Sequence, residues 1–508
     1  RWQDAYREKR MSAEQAVADI RAGQTVYLGG NAATPRALAQ ALATRGEELD
    51  GLRVAHVLLL GEDPFDRPPA RGRIRHLSWF VGPADRVALL AGNADYVPSH
   101  LSEIPALMRA GIPTLDAALV MTAPPDRHGM LSLGVEVLAS LSAVECARRV
   151  IVQVNEQMPR VLGNSFVHVS EVDAIVEADH PLPELPASPP SEAEKRIAEH
   201  IVPLVPEGAT LQLGIGGVPN AVVALLEGRD DLGVHSEMIS DGVMNAFEAG
   251  VLTGRYKTRH RGKIVATFAL GSRDFYDWLN ENHAVEAHPC DHTNDPIQAA
   301  GNARLVAINS AISVDLTGQV NADSIGHRIY SGVGGQVDFV RAASKSEGGR
   351  SIIAMPSTAQ NGAISRIVPR LAEGAGVVTS RADVHTVVTE HGVAELYGKS
   401  IRERVEAPIP IAAPAFRYEL EKAVEDVRRV FHEASRGRSR SGCRPLGRVG
   451  FSSSVSDSAR ACQRQLGRVS DSSGVGPRPG RTRRAAGPPA SPHSGARFAC
   501  RDSDGWTG

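Results

Sequence analysis

The segment His235-Ser236-Glu237-Met238-Ile239-Ser240-Asp241-Gly242 sets an acid after a short predicted strand, Gly233 to Ser236, and before a polar turn. If that strand belongs to an open α/β sheet, Glu237 stands at the carboxyl edge, where ligands bind. A carboxylate with the ordinary pKa of about 4.3 is ionised at pH 7 and can act as a nucleophile without a general base. Taken alone, Glu237 reads better as a surface charge or the neighbour of a helix N-cap, so only its surroundings can raise it above that.

Two glycine turns supply such surroundings. Gly214-Ile215-Gly216-Gly217 follows an apolar run and precedes a helical pattern opening at Pro219, an arrangement that lets backbone N–H groups approach an anion at a helix N-terminus. A dinucleotide fingerprint is the rival reading, with Glu237 about twenty residues on as the ribose acid, but Pro219 occupies the place of a required glycine or alanine. An ordinary strand-to-helix turn is the plain one. The second turn, Gly332-Val333-Gly334-Gly335, offers closely spaced N–H donors suited to a developing oxyanion, or is simply a tight turn. Further on, Val388-Thr389-Glu390-His391-Gly392 ends an alternating run in a polar loop carrying a second acid, Glu390. His391 has no His or Cys partner at ligand spacing, and the quartet His283, His288, Cys290 and His292 fits no standard zinc pattern. No metal site is expected, and 283–292 reads as a polar loop.

The elements that must position these residues alternate between β-rich runs and helical patterns, the signature of α/β domains with mostly parallel sheets. In the first half, Ser12 with Gln15 caps a helix, Thr25 to Leu28 and Val54 to Leu60 read as strands, and Pro35 to Ala43 as a helix. In the second, strands are expected at Thr210 to Leu213, Gly233 to Ser236, Ile264 to Leu270, Leu305 to Ile312 and Ser351 to Ala354, with a helix from Pro219 to Leu226. The proline-rich stretch from Asp179 to Pro190 can be neither helix nor central strand and separates the halves; Ser191-Glu192-Ala193-Glu194 then opens a helix with a capping box. The expected organisation is two similar open α/β domains, 1–185 and 191–433, followed by a tail over 434–508.

That tail is rich in Arg, Ser, Gly and Pro, and from Gly437 it holds no Lys, Glu or Ile. Such a composition forms no core. From Arg436 onward 14 Arg stand against 4 Asp, so the tail carries +10 of an overall charge of −2 and the body carries −12. A nucleic-acid arm is disfavoured because no aromatic cluster or recognition module accompanies the arginines. Disorder, or an out-of-frame reading of GC-rich DNA, accounts for the composition. The remaining bounds are plain. At 508 residues and 42% hydrophobic the chain is expected to hold more than one domain. No apolar run reaches membrane-spanning length, the N-terminus lacks a secretory pattern, and five scattered cysteines without a C-x-x-C pair fit a reducing cytoplasm.

Taken together these segments resemble the acetyl-CoA hydrolase/transferase family, in particular its 4-hydroxybutyrate and butyrate:acetate CoA-transferases. The resemblance runs from about Trp2 to Val427 and includes Ala94 to Pro105, Asn155 to Ser165, Ser236-Glu237-Met238, Gly332 to Phe339 and Val388 to Gly398. It implies two similar α/β domains with a site between them, and ping-pong chemistry in which Glu237 forms an acyl-glutamyl anhydride and then a glutamyl-CoA thioester. It further implies that Gly334 and Gly335, with Gly214, Gly216 and Gly217, serve the oxyanion and coenzyme A, and that Glu390 supports the site. Acyl-CoA and a small carboxylate are then the substrates, no cofactor is permanently bound, and a homo-oligomer is expected. A hydrolase using the same Glu, a non-catalytic acyl-CoA-binding protein and a nicotinamide-dependent oxidoreductase are the alternatives.

Overall fold

Strands such as Thr25–Leu28, Ala117–Thr122 and Val150–Val154 are buried at every residue. Continuous burial is what a parallel sheet covered by helices on both faces requires. The computed structural model describes residues 1–436 apart from 186–188, 215 and 227, with the backbone alone over 426–436. Helix Pro414–Arg436 takes in the first three residues of the expected tail. The rest of that tail, part of the proline-rich linker and Ile215 of the first glycine turn lie outside the described residues.

The first sheet contains β1 (Thr25–Leu28), β2 (Arg53–His56), β3 (Arg75–Ser78), β4 (Ala94–Tyr96), β5 (Ala117–Thr122), β6 (Val150–Val154) and β7 (Ala174–Glu177). Their order is β4-β3-β2-β1-β5-β6-β7, parallel throughout. The second contains β8 (Thr210–Leu213), β9 (Gly233–Val234), β10 (Leu305–Asn309), β11 (Arg350–Ala354), β12 (Thr386–Thr389) and β13 (Gly392–Glu395). Its order is β9-β8-β10-β11-β12-β13, parallel except for the closing β12–β13 hairpin. Chain direction across the sheet reverses between β1 and β5 in the first lobe and between β8 and β10 in the second, which places a ligand crevice at the carboxyl ends of those strands. The fold is therefore α/β with mostly parallel sheets, as its sequence pattern predicts.

Residues 1–436 make one compact unit. Tyr27 and Val152 of the first sheet share a hydrophobic core with Leu211 and Val306 of the second. After the linker, Ser191 caps helix Glu192–Ile201, accepting from the Glu194 N–H at 3.3 Å while Glu194 Oε2 accepts from the Ser191 N–H at 2.8 Å. Among the described residues no helix is long and apolar enough to cross a membrane.

Two expected strands are interrupted. The run from Val54 pairs in the sheet only as far as His56, because the chain then bends beneath Asn31, whose N–H donates to the Leu58 carbonyl. The run Ile264 to Leu270 splits at Thr267 into strand Ile264–Ala266, paired with Val285–Ala287, and strand Phe268–Ala269, paired with Met238–Ile239. At the split the Thr267 and Phe268 N–H groups both donate to the Glu237 carbonyl, at 3.0 and 3.1 Å. Two residues thus oppose one, the signature of a bulge, and bulges re-aim side chains beside functional sites.

The lobes also meet through backbone. Gly163, at φ +110°, bridges Ala287, and the Ala287 N–H donates to the Leu162 carbonyl at 2.7 Å. A Cβ on Gly163 would lie 2.4 Å from the Ala287 carbonyl oxygen, an atom that cannot swing away. Gly163→Ala is expected to cost well over the ~1–2 kcal/mol of a left-handed Ala. Gly23→Ala, with similar backbone sign but nothing within 4 Å of its Cβ, should cost only that conformational part. Urea midpoints of the two variants check the difference.

Candidate active site

The approach to Glu237 is built from the sheet edge outwards. Beyond β9 the chain bridges Val265 at His235. The buried His235 ring donates from Nε2 to the Thr293 carbonyl at 2.8 Å and accepts at Nδ1 from Asn302 Nδ2 at 3.3 Å. Burial, followed by the charge of Lys257, lowers its pKa to about 3, so the ring is a neutral strut. Ser236 Oγ accepts from the Leu213 N–H and donates to the Leu213 carbonyl, at 3.2 and 3.0 Å, tying this edge to the end of β8. With its carbonyl fixed by the bulge, Glu237 has little backbone freedom left.

Its carboxyl is held as tightly. Asn294 Nδ2 donates to Glu237 Oε2 at 2.9 Å, and the Gly335 N–H donates to the same carboxyl. Asn294 closes the short helix Cys290–Thr293, its own N–H on the Cys290 carbonyl at 2.9 Å. Gly335 lets its backbone approach this closely: a Cβ there would lie 2.0 Å from Glu237 Oε2 and 2.2 Å from Asn294 Nδ2 and would displace both side chains. Glu237 stays partly exposed at the residue level, yet burial of the carboxyl raises its pKa to about 7, against the opposing pull of the Asn294 and Gly335 bonds. The ordinary value assumed from sequence omits this desolvation.

The first lobe positions the Gly335 donor. Leu101 N–H donates to the Gly334 carbonyl at 3.1 Å, Val333 N–H to Tyr96 Oη at 3.0 Å, and Arg86 Nε to the Tyr330 carbonyl at 2.7 Å. Asp338, in the first turn of helix Gln336–Lys345, accepts from the N–H and hydroxyl of Ser102 at 3.1 and 2.9 Å. Burial first, then the charge of Glu237, raises Asp338 to about 7, against the Ser102 bonds. Two buried carboxyls with raised pKa values therefore share this junction, and the charge of Glu237 adds to the rise at Asp338.

The other expected residues are dispersed. Gly214, Gly216 and Gly217 lie at the carboxyl end of β8, with Gly216 at φ +123° as N-cap of helix Gly217–Leu225. No described hydrogen bond joins them to the Glu237 carboxyl; their link to it is Ser236. A Cβ on Gly217 would run into the Glu194 side chain, so that glycine serves helix packing. Glu390 is occupied elsewhere: Ser357 donates to it from its N–H at 2.8 Å and from its hydroxyl at 2.6 Å, which joins the loops after β11 and β12. A cavity of about 1060 Å³ lined by Asp315, Leu316, Arg370, Arg381, Ile401 and Val405 shares no residue with the Glu237 site. Size alone does not identify the chemistry here.

Sequence reasoning missed Asn294, Asp338, Tyr96 and Ser102. The last three fall inside segments that carried the family resemblance, so the signal was present without a role attached. Asn294 follows the His/Cys loop, where no local pattern marks it. In that loop the expectation of scattered polar residues also changes, because His288 and His292 converge with the distant His260. Cys290 points away, its thiol directed at the Leu101 carbonyl.

The acetyl-CoA hydrolase/transferase N-terminal domain matches residues 1–186 and the corresponding C-terminal domain matches 271–424. The chain is 45% identical over 419 residues to the 4-hydroxybutyrate coenzyme A transferase of Clostridium kluyveri, spanning 82% of this chain and 98% of that one. It is 38% identical over 436 residues to the butyryl-CoA:acetate CoA-transferase of Anaerostipes caccae, spanning 84% and 97%. The crystal structure of RipA from Yersinia pestis matches with a TM-score of 0.80 at 39% identity, covering 84% of this chain and 99% of that one. The chain accordingly belongs to the acetyl-CoA hydrolase/transferase family and is an enzyme of the CoA-transferase type.

Proposed function

We propose that the protein moves coenzyme A between short-chain carboxylic acids, of the acetate, butyrate and 4-hydroxybutyrate class, through covalent intermediates on Glu237. The observation that carries this reading is the asymmetric hold on its carboxyl. Asn294 Nδ2 donates to Oε2, while no described side chain donates to Oε1. Oε1 is then the attacking oxygen and Oε2 the oxygen that takes up charge whenever the glutamyl carbonyl is itself attacked.

Bond by bond the cycle balances. Glu237 Oε1 attacks the thioester carbonyl, the C–S bond breaks, and an acyl-glutamyl anhydride and CoA thiolate result. The thiolate attacks the glutamyl carbonyl, with the negative charge on Oε2 met by Asn294 and the Gly335 N–H, and expels the first acid as its carboxylate. A second carboxylate attacks the glutamyl-CoA thioester to give a new anhydride, and the returning thiolate takes its acyl group, freeing Glu237. Each intermediate is an activated acyl group, so neither ATP nor a redox cofactor is required. The handle of coenzyme A supplies the positioning, for which effective molarities of about 10⁵ to 10⁸ M are attainable. A cytoplasmic homo-oligomer without permanently bound cofactor belongs to the same reading.

An exchange panel tests the reading: transfer from butyryl-CoA to acetate and 4-hydroxybutyrate, set against CoA release without acceptor. Release that ignores the acceptor would make the protein a hydrolase instead. Asn294→Ala should lower kcat by about 10²–10³-fold with a much smaller change in KM, the usual cost of one oxyanion donor.

The pH profile has a defined sign. The nucleophile is the ionised carboxyl, so kcat/KM for acyl-CoA should rise with pH through about 7. Glu237→Gln removes a charge that raises Asp338, so the Asp338 carboxyl should then titrate at lower pH, a shift read by NMR; an unmoved Asp338 would contradict the coupling.

Stability runs the other way. Because the folded pKa of Glu237 lies above its unfolded value, its ionisation costs stability as pH rises from about 4.5 through about 7. Glu237→Gln should abolish transfer, by at least about 10⁴-fold, yet raise Tm more at pH 8 than at pH 5.

A further inference from the structure

Three imidazoles, on two separate stretches of chain, meet beside the elements that hold Glu237. His260 stands in the loop before strand Ile264–Ala266, in a left-handed conformation at φ 49° that a histidine adopts only when its surroundings fix it. His288 follows strand Val285–Ala287, and His292 lies in the short helix Cys290–Thr293. One ring nitrogen from each falls within 4.8 Å of the other two, and His260 Nε2 is 3.0 Å from His292 Nε2. Two nitrogens on a tetrahedral zinc-sized ion at about 2.0–2.1 Å stand roughly 3.3 Å apart, so this edge of a coordination shell is nearly in place.

The surroundings match what a metal-binding imidazole needs. Glu286 Oε2 accepts from His260 Nδ1 at 2.7 Å, which fixes the ring and its tautomer and turns Nε2, as an acceptor, towards His292 Nε2, the hydrogen bond an ion would replace. A carboxylate behind a ligating histidine is the common supporting arrangement in metal sites. His288 Nε2 lies 3.3 Å from the same Glu286 oxygen. All three histidines are partly buried rather than sealed from solvent.

We propose that His260, His288 and His292 form a binding site for one divalent transition-metal ion of the zinc type, oriented by Glu286. Imidazole donors select zinc, cobalt, nickel or copper over magnesium or calcium. Helix Cys290–Thr293 carries His292 at one position and ends on Asn294, the donor to Glu237 Oε2. An ion here would brace the catalytic carboxyl from behind without touching substrate.

The test uses the full chain without a histidine tag, stripped with a chelator and titrated with Zn²⁺ by calorimetry and with Co²⁺ by visible absorption. One equivalent should bind, with the intense d–d bands of a four-coordinate cobalt site, and Zn²⁺ should raise Tm. Glu286→Gln should weaken binding about 10–100-fold. The double variant H260Q/H288Q should lose this equivalent and the Tm rise. If the double variant is unstable in its metal-free form, His288→Gln alone serves, judged by the cobalt spectrum. Absence of stoichiometric binding at micromolar Zn²⁺, or binding unchanged in a folded histidine variant, overturns the proposal.

Discussion

The approach of the Gly335 backbone to the Glu237 carboxyl is the constraint on which the rest of the structure turns. With 2.0 Å between a hypothetical Cβ and Oε2, a larger residue would displace the carboxyl. It brings together a turn clamped by the first lobe and an acid fixed by the second. The Leu101, Tyr96 and Arg86 contacts set the turn; the bulge at Thr267 and the Ser236 bonds to Leu213 set the acid. Neither lobe alone contains the site.

This arrangement raises the free energy of the resting enzyme where the chemistry happens. A carboxyl moved out of water is a poorer anion than a surface glutamate, hence its pKa near 7. In the proposed reaction desolvation leaves it a stronger nucleophile once ionised, and Asn294 on Oε2 and the Gly335 N–H on the carboxyl are in place before any charge develops there. Preorganised donors of this kind need no reorganisation at the moment of reaction. On the proposed mechanism the asymmetry between Oε1 and Oε2 divides nucleophile from oxyanion within one side chain.

Much of the fold was legible because its signals are local. Thr25 to Leu28 and Thr210 to Leu213 appear as strands at the residues expected, and Ser191 with Glu194 forms the capping box their spacing announces. The failures were at Val54 to Leu60 and Ile264 to Leu270, where apolar runs look continuous but tertiary contacts from Asn31 and Glu237 break the pairing. Glu237 could be singled out from its strand-end address and the family resemblance. Asn294 could not, since 57 residues separate it from the acid it serves and no periodicity connects them. Likewise Glu390 shares the carboxyl edge of the sheet but is bound to Ser357, a pairing no spacing rule encodes. His260 is the same lesson for the imidazole cluster: a pattern read within ten residues cannot include a ligand from another loop.

The central claim is that Glu237 itself carries coenzyme A. It is tested most directly by mixing the full chain with butyryl-CoA without acceptor, quenching in acid and sequencing the peptides by mass spectrometry. A thioester-linked CoA adduct on Glu237, discharged by acetate with release of acetyl-CoA, is the predicted result. An adduct on another residue such as Cys290, or transfer without any covalent enzyme species, would contradict it.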